Sequence, residues 1–346
     1  MKIGILTFHN IPNFGAILQA FALCKALRQM GYECEIIDYK CDSVSSRELT
    51  YKKHPNKLKD ILIRSFIWPS TEKKISSCYN FMSQSGIYSK EHYDRSTIVN
   101  ANNLYDVFLS GSDMIWDFGV TDRDTTFMLD FAGDEIIKYS YGSSCGDEIW
   151  KASDLERVQF LLGRYKGLGV REESMRIKLQ GIGLESKLVA DPTMLLNSDQ
   201  WNEIAVTPKI KNYVLVYFPS EKNLKAASKY ASKRGLKVAV LNWGLPLLKY
   251  KNISPYKPQE WVGYVRNAEA VFTDSYHGFL FALYFKKPVW VGKKGNRFNS
   301  IYDYLGIGGV DLDKDRELCY KIDFSQVNTL LKAMREDSLN YLRGIG

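Results

Sequence analysis

The chain has 346 residues, 45% hydrophobic and 25% charged, with a formal net charge of +8, a composition typical of a globular protein long enough for two α/β domains. No segment approaches the roughly 20 consecutive apolar residues of a membrane-spanning helix, and the apolar run at the N-terminus is too short for a signal peptide. The six cysteines form no CxxC pair, so we expect reduced thiols in a cytoplasmic protein, not a disulfide framework or a metal centre.

The first elements form a βαβ unit. Residues 2–7 are predicted to be a strand, and residues 9–15 form a turn-rich loop. Apolar residues then recur at helical spacing until Gly31, and a second strand follows at 33–38. This unit resembles a nucleotide-binding half, but its loop lacks the GxGxxG fingerprint of dinucleotide-binding proteins.

Residues 42–100 show no clear alternation of strand and helix, which predicts a helical insertion in the first domain. Within it, residues 51–74 hold seven basic and two acidic residues, together with apolar residues that end at Trp68. Two interpretations stay open. A basic amphipathic helix can lie on an anionic membrane surface, whereas an ordinary solvated helix packs one apolar side on its own domain.

Strands and helices alternate again after the insertion. The predicted strands of this part cover residues 107–110, 138–141, 168–170, 187–189, 213–217, 237–241, 270–273 and 288–291. A change of composition near 197–212 indicates a linker, and the last predicted helix covers about 325–334. We therefore expect an α/β fold of two doubly wound Rossmann-like domains facing a cleft, the first at 1–200 and the second at 208–346.

Residues 270–297, AVFTDSYHGFLFALYFKKPVWVGKKGNR, carry the strongest functional signal. They predict a strand, a polar turn, a helix and a second strand, and such βαβ units bind ligands at the carboxyl ends of their strands. His277 lies at the start of the helix, where backbone N–H groups favour an anion. Lys293 and Arg297 follow the second strand on the same predicted edge. Unless these two side chains are simply solvated, the pattern indicates a site for an acidic substrate.

Five short motifs follow one another at predicted strand ends. They are NFGAILQAFAL at 13–23, GSDMIW at 111–116, VREES at 170–174, ADPT at 190–193 and TDSYHG at 273–278. In this order they resemble the polysaccharide pyruvyl transferase family, and the resemblance spans roughly residues 3–305 outside the insertion. It implies a two-domain fold similar to the GT-B glycosyltransferases.

The resemblance also implies an activity. The donor would be phosphoenolpyruvate, and the acceptor a sugar in a lipid-linked or polymeric glycan of a bacterial capsule or exopolysaccharide. The product would be a cyclic pyruvate ketal that bridges two sugar hydroxyls. The family's arginine corresponds to Arg171 and its essential histidine to His277. Many members carry arginine two positions before that histidine, where this chain has Ser275, so we expect a shifted phosphate contact.

Ketal formation from an enol phosphate needs a proton for the methylene carbon and a base for the attacking hydroxyl. It requires neither a metal nor a redox cofactor, so we expect none. Histidine suits both proton transfers because its ordinary pKa is about 6.5. We therefore expect His277 to be catalytic, although a helix-capping or core histidine is the alternative. His9 and Asp113 are further catalytic candidates, and Asp113 has the alternative of capping the turn after it.

The two anionic groups of the donor call for cations and for backbone N–H groups. The candidate donor-binding residues are Arg171, Ser275, Tyr276, Gly278, Lys293 and Arg297. For Arg171, a salt bridge to Glu172 or Glu173 stays open as the alternative. The candidate acceptor-binding residues are Asn13, Phe14, Gly15, Gln19 and Trp116. We expect a lipid-linked oligosaccharide as partner and no nucleic acid, with the protein in the cytoplasm or peripherally at the inner face of the membrane through 51–74.

Two functions of other classes stay open. The same fold accommodates a GT-B glycosyltransferase that uses a nucleotide sugar, because fold does not determine function. Ser275, at the position where many relatives have arginine, is also consistent with a non-catalytic member that binds glycan or acts as a scaffold.

Overall fold

The computed structural model describes residues 1–48, 58–146, 148–292 and 296–346. The chain divides into two units. The first unit consists of Met1–Ile61, Cys78–Leu196 and Met334–Gly346, and the second of Leu62–Ser77 and Asn197–Ala333. Within the described residues, no helix combines the length and the apolar character needed to cross a membrane.

The first unit is built on a parallel sheet of seven strands. They are β1 Lys2–Leu6, β2 Glu33–Tyr39, β3 Tyr88–Tyr93, β4 Val107–Ser110, β5 Ile137–Ser143, β6 Gly167–Val170 and β7 Lys187–Leu188. Their order in the sheet is β3-β2-β1-β4-β5-β6-β7. The order reverses between β1 and β4, and open parallel sheets bind ligands beyond the carboxyl ends of the strands at such a switch point.

The second unit has a parallel sheet of five strands. They are β8 Tyr213–Tyr217, β9 Lys237–Leu241, β10 Lys251–Ile253, β11 Ala270–Thr273 and β12 Val289–Trp290. Their order is β10-β9-β8-β11-β12, which places the switch point between β8 and β11. Both sheets therefore have the doubly wound topology predicted from the sequence.

Twelve helices lie within the described residues. They are α1 Phe14–Gln29, α2 Asp42–Glu48, α3 Leu58–Gln84, α4 Phe118–Thr121, α5 Ala152–Gly163, α6 Glu173–Gly181, α7 Ser198–Ile204, α8 Glu221–Ser232, α9 Pro258–Arg266, α10 Tyr276–Tyr284, α11 Asn296–Leu305 and α12 Phe324–Arg343. Short 3₁₀ turns cover Ile98–Asn103, Thr125–Met128, Pro192–Leu195 and Gly308–Val310.

Burial explains why the central strands were recognisable in the sequence. Parallel strands that are covered on both faces are apolar along their length, and every residue of β4, β8 and β11 is buried. Gly4 in β1 illustrates how close the packing is, because a Cβ there would lie 2.8 Å from Ile37 Cδ1 and 2.9 Å from Tyr105 Cγ.

The segment 42–100, predicted to be a helical insertion, contributes a strand to the sheet. β3 pairs in parallel with β2 at the edge of the first sheet. Its sequence YSKEHY has three exposed residues in its middle, so it lacks the apolar signature of the central strands. An edge strand of this kind does not stand out in a single sequence.

The C-terminal helix is longer than predicted, and its end lies in the first unit. In α12, Tyr341 Oη donates to Ser140 O at 2.9 Å, and Ser338 Oγ accepts from Ala190 N at 2.8 Å. Through these contacts Met334–Gly346 belongs to the first unit, whereas the expected second domain ran from 208 to 346.

Candidate functional site

The ends of β1 and β4 meet at the switch point of the first sheet. Thr7 Oγ1 donates to Ser112 O at 2.8 Å, and Gln19 Nε2 donates to Thr7 Oγ1 at 3.0 Å. This close approach requires glycine at position 111, because a Cβ there would lie 2.7 Å from Thr7 Cβ. Gln19 is fully buried, and its Oε1 has no hydrogen-bond partner among the described residues. Gln19 therefore links α1, through Thr7, to the ends of β1 and β4.

Arg171, directly after β6, forms a buried charge cluster. Its side chain is 1% exposed, with Nη1 at 3.0 Å from Asp191 Oδ2 and Nε at 3.2 Å from Glu172 Oε1. Nη1 also donates to Ser112 Oγ at 3.3 Å, which joins β6 to the loop after β4. The salt bridge that the sequence left open for Arg171 is therefore present with Glu172, and Asp191 adds a second carboxylate. Glu173 pairs with Arg176 instead.

His9, in the loop after β1, is buried and hydrogen bonded through both ring nitrogens. Nδ1 lies 2.9 Å from Thr7 O, and Nε2 lies 3.1 Å from Asp38 Oδ1. Because both partners are acceptors, the two contacts are hydrogen bonds together only when the imidazole is doubly protonated. His92 Nδ1 lies 2.8 Å from Asp38 Oδ2. Burial raises the pKa of Asp38, but the hydrogen bonds from His9 and His92 outweigh it, so that the pKa lies below its ordinary value of 3.8.

Asp113 lies after β4 in an uncommon backbone conformation. Its φ is +82°, in the left-handed region that few residues other than glycine adopt. Asp113 Oδ1 accepts from Met114 N at 2.9 Å, and Asp113 O accepts from Ser144 N at 3.1 Å. The carboxylate thus contacts the backbone of the next residue, and both interpretations of Asp113 stay predictions. Such strained residues often lie at binding edges.

The acceptor-side candidates differ in their accessibility. Asn13 is exposed and caps the N-terminus of α1, with Oδ1 accepting from Gly15 N at 3.0 Å, whereas the side chain of Phe14 is fully buried. Trp116 is fully buried in the core of the first unit, where Nε1 donates to Phe127 O at 3.0 Å. The structure therefore places Trp116, one of the acceptor-binding candidates, in the core with neither face of its ring accessible.

In the second unit, α10 begins directly over the switch point. Ser275 Oγ accepts from Gly278 N at 3.2 Å, and Ser275 N donates to Thr273 Oγ1 at 3.0 Å. A Cβ at Gly278 would lie 2.9 Å from both Thr273 Oγ1 and Tyr217 Cδ1, so glycine permits the helix to start this close to β8 and β11. His277 is the second residue of the helix and is 8% exposed. Its ring lies edge-to-face against Tyr276 at 5.7 Å.

Two further polar residues lie at this edge and were not among the candidate site residues predicted from the sequence. Asp274 Oδ1 accepts from Gly292 N at 2.9 Å and thereby joins the end of β11 to the residue after β12. Lys222, in the first turn of α8, donates to Gly292 O at 2.9 Å and pairs with Asp313 at 2.7 Å. In the sequence, Lys222 could have been selected only by its position, because it follows β8 at the switch point. Lys293 and the side chain of Arg297 lie outside the described residues.

The described residues offer no group of three or more histidine, cysteine, aspartate or glutamate side chains that could hold a metal ion. The expectation of metal-free chemistry stays a prediction.

Solved structures share the fold of this chain. A UDP-GlcNAc 2-epimerase from Neisseria meningitidis bound to UDP-GlcNAc is 11% identical, with a TM-score of 0.51 over 100% of this chain and 95% of that chain. MnaA from S. aureus with UDP is 13% identical, with a TM-score of 0.50 over 99% of this chain and 90% of that chain. At these identities the likeness concerns the fold alone. It confirms the prediction of two doubly wound α/β units similar to the GT-B fold.

The sequence itself identifies the family. A family model described as polysaccharide pyruvyl transferase matches residues 13–291, most of the chain. The chain therefore belongs to the polysaccharide pyruvyl transferase family, as the five motifs predicted. A search among curated protein sequences finds no match.

Proposed function

We propose that this chain transfers the pyruvyl unit of phosphoenolpyruvate to two hydroxyls of one sugar in a surface-polysaccharide precursor. Family membership over residues 13–291 is the observation that carries the proposal. The placement of His277 supports it, because the first turn of α10 directs N–H groups beyond the switch point of the second sheet, and such helix starts bind phosphate and carboxylate.

The reaction is a balanced addition and displacement. Protonation of the methylene carbon of phosphoenolpyruvate makes the neighbouring carbon electrophilic, and the first sugar hydroxyl adds to it. Phosphate then leaves, and the second hydroxyl closes the ketal. Of the two hydroxyl protons, one balances the proton taken up by the new methyl group and the other leaves with phosphate. The chain must therefore deliver one proton to carbon and remove protons from oxygen.

We assign the proton transfer to His277 and the donor contacts to its surroundings. The Ser275 hydroxyl and the first turn of α10, with Tyr276 and Gly278, would receive an anionic group of the donor. Lys222, which reaches Gly292 O beyond β12 and is half-exposed in its pair with Asp313, would turn its ammonium group to the donor at the same edge. Lys293 and Arg297 remain candidates for the second anionic group.

We assign the first unit to the acceptor and to its positioning. Asp113 and Asn13 would contact sugar hydroxyls, with Gly15 and the backbone of Phe14 completing the loop. Arg171 would act mainly as a positioning residue, because its guanidinium already bonds two carboxylates and Ser112. His9 would fix the loop after β1 through its contacts with Thr7 O and Asp38 Oδ1. The acceptor we propose is a lipid-linked oligosaccharide met at the cytoplasmic face of the membrane.

Thermal unfolding with added phosphoenolpyruvate tests the donor site. A ligand that binds only the folded state raises the melting temperature in proportion to the logarithm of its concentration. We expect such a shift for the parent protein and a smaller one for Lys222→Ala. Lys229→Ala is the matched control, since Lys229 is a lysine of the same helix with nearly equal exposure that pairs with Glu317. A shift with UDP-sugars and none with phosphoenolpyruvate would refute the proposal in favour of glycosyl transfer.

A further inference from the structure

Two leucine side chains of the loop between β9 and β10 are exposed to solvent. Leu245 is 57% exposed and Leu248 is 97% exposed. Leu247, between them, is partly buried against the core of the second unit. Single exposed leucines are common on protein surfaces, but two within four residues of one loop form an apolar tip.

Two asparagines hold this loop in shape. Asn252 Oδ1 accepts from Leu247 N, and Asn252 Nδ2 donates to Leu247 O, both at 2.9 Å. Asn242 Nδ2 donates to Leu245 O at 2.7 Å. The backbone of the loop is therefore fixed from inside, so Leu245 and Leu248 project from a defined turn.

Lysines and aromatic rings surround the apolar tip. Residues 242–257 contain three lysines and no acidic residue. Two more lysines come from α3, with Lys73 Nζ 4.4 Å from the centre of the Tyr256 ring and Lys74 Nζ 3.8 Å from that of Trp243. Two acidic residues adjoin these groups, Glu72 next to Lys73 and Glu260, which accepts from Tyr256 N at 3.1 Å. The five lysines and two glutamates named or counted here leave a net positive charge.

The tip lies at the functional edge of the second unit. The Trp243 ring is 6.4 Å from that of Tyr217, the last residue of β8, and Tyr217 also lies under the start of α10. The exposed Phe218, with φ +61°, follows Tyr217 directly, and their ring centres are 4.7 Å apart. A partner bound at the loop would therefore lie close to the edge that carries Ser275.

We propose that residues 242–257, together with Lys73 and Lys74, dock on an anionic lipid bilayer. Leu245 and Leu248 enter the acyl region, the lysines meet the lipid headgroups, and Trp243 and Tyr256 lie between them, the arrangement by which interfacial segments bind membranes. A small projecting tip fits a bilayer better than a second protein, because a stable protein interface needs about 800 Å² from each partner. Residues 51–57 of the predicted membrane-contacting segment lie outside the described residues.

Vesicle co-sedimentation of the full chain tests this inference independently of catalysis. We expect binding to vesicles of phosphatidylcholine with phosphatidylglycerol, little binding to phosphatidylcholine alone, and weakening by salt. Leu245→Ser/Leu248→Ser should lower the binding constant at least about tenfold, because each leucine loses its burial in the acyl region. Lys249→Glu/Lys251→Glu should lower it by about fivefold or more per lysine. Melting temperatures of all variants should match that of the parent.

Ile149→Ser/Phe160→Ser is the matched control, because these residues are 78% and 68% exposed on the first unit. It should bind vesicles as the parent does. The proposal is overturned if the parent ignores anionic vesicles, if the leucine variant binds as well as the parent, or if the control loses as much. Dimerisation that depends on the leucines, without vesicle binding, would assign the loop to a second copy of the chain and also overturn it.

Discussion

Arg171→Ala should destabilise the first unit strongly. The substitution removes the hydrogen bonds to Asp191, Glu172 and Ser112 and leaves two carboxylates with side chains 0% and 5% exposed. Removal of one partner from a buried ion pair costs about 3–5 kcal/mol, because the remaining charge is buried without compensation. We expect a loss of that size in the free energy of unfolding, with part of it recovered in Arg171→Ala/Asp191→Asn, which removes one of the stranded charges.

Urea unfolding, followed by circular dichroism and tryptophan fluorescence, measures this loss. Arg176→Ala is the control, because Arg176 and Glu173 form an ion pair with side chains 43% and 42% exposed. An exposed pair contributes at most about 1 kcal/mol, so this variant should unfold almost like the parent. A loss for Arg171→Ala no larger than that for Arg176→Ala would refute the positioning role. Unchanged stability combined with a lost phosphoenolpyruvate shift would instead make Arg171 a direct donor contact.

Substitutions at Asp38, Ser275 and Gly278 each remove or crowd a single contact. Asp38→Asn should cost about 1.5–3 kcal/mol at neutral pH. Because the folded-state pKa of Asp38 lies below 3.8, the parent should be more stable than the variant above that pH. This difference in the free energy of unfolding should disappear as the pH falls through the lowered pKa. A difference independent of pH would contradict the prediction. Ser275→Ala removes the N-cap of α10 and should lower the free energy of unfolding in urea by about 0.5–2 kcal/mol. Ser275→Thr keeps a hydroxyl and should lose much less. Equal losses in the two variants would argue against capping. Gly278→Ala should lower the free energy of unfolding by about 1–3 kcal/mol, because the new Cβ crowds Thr273. Gly181→Ala is the control and should be neutral or stabilising, because a Cβ there meets nothing within 4 Å. The reverse order would contradict the close packing of α10 on Thr273.

The central strands and their polar ends were predictable because they are buried on both faces. An apolar run such as residues 270–273 predicts a buried strand, because a polar turn with Gly278 and a second apolar run follow it. The same logic fails at the sheet edges. β3 is half exposed and charged, and β10 has only three residues, so neither produces an apolar run.

Contacts distant in sequence explain the remaining differences at the candidate site. Asp191 lies 20 residues from Arg171, and only the pairing of β6 with β7 brings them together. Trp116 follows a polar strand end, as a ligand-binding residue would, but its indole N–H reaches Phe127 O in the core. Lys222 is one of 47 basic residues, and nothing in its local sequence distinguishes it. Spacing indicates which edge is functional, whereas packing decides which side chains face it.

Phosphate release from phosphoenolpyruvate in the presence of galactosides and mannosides tests the proposed function most directly. Mass spectrometry of the sugar should show the matching pyruvate ketal. The account predicts release that requires both the parent protein and a sugar, and that falls at least about 100-fold in His277→Gln. His92→Gln, with a histidine side chain 72% exposed, should retain the parent's rate. Release by His277→Gln at the parent's rate, or consumption of a UDP-sugar while phosphoenolpyruvate stays intact, would contradict it.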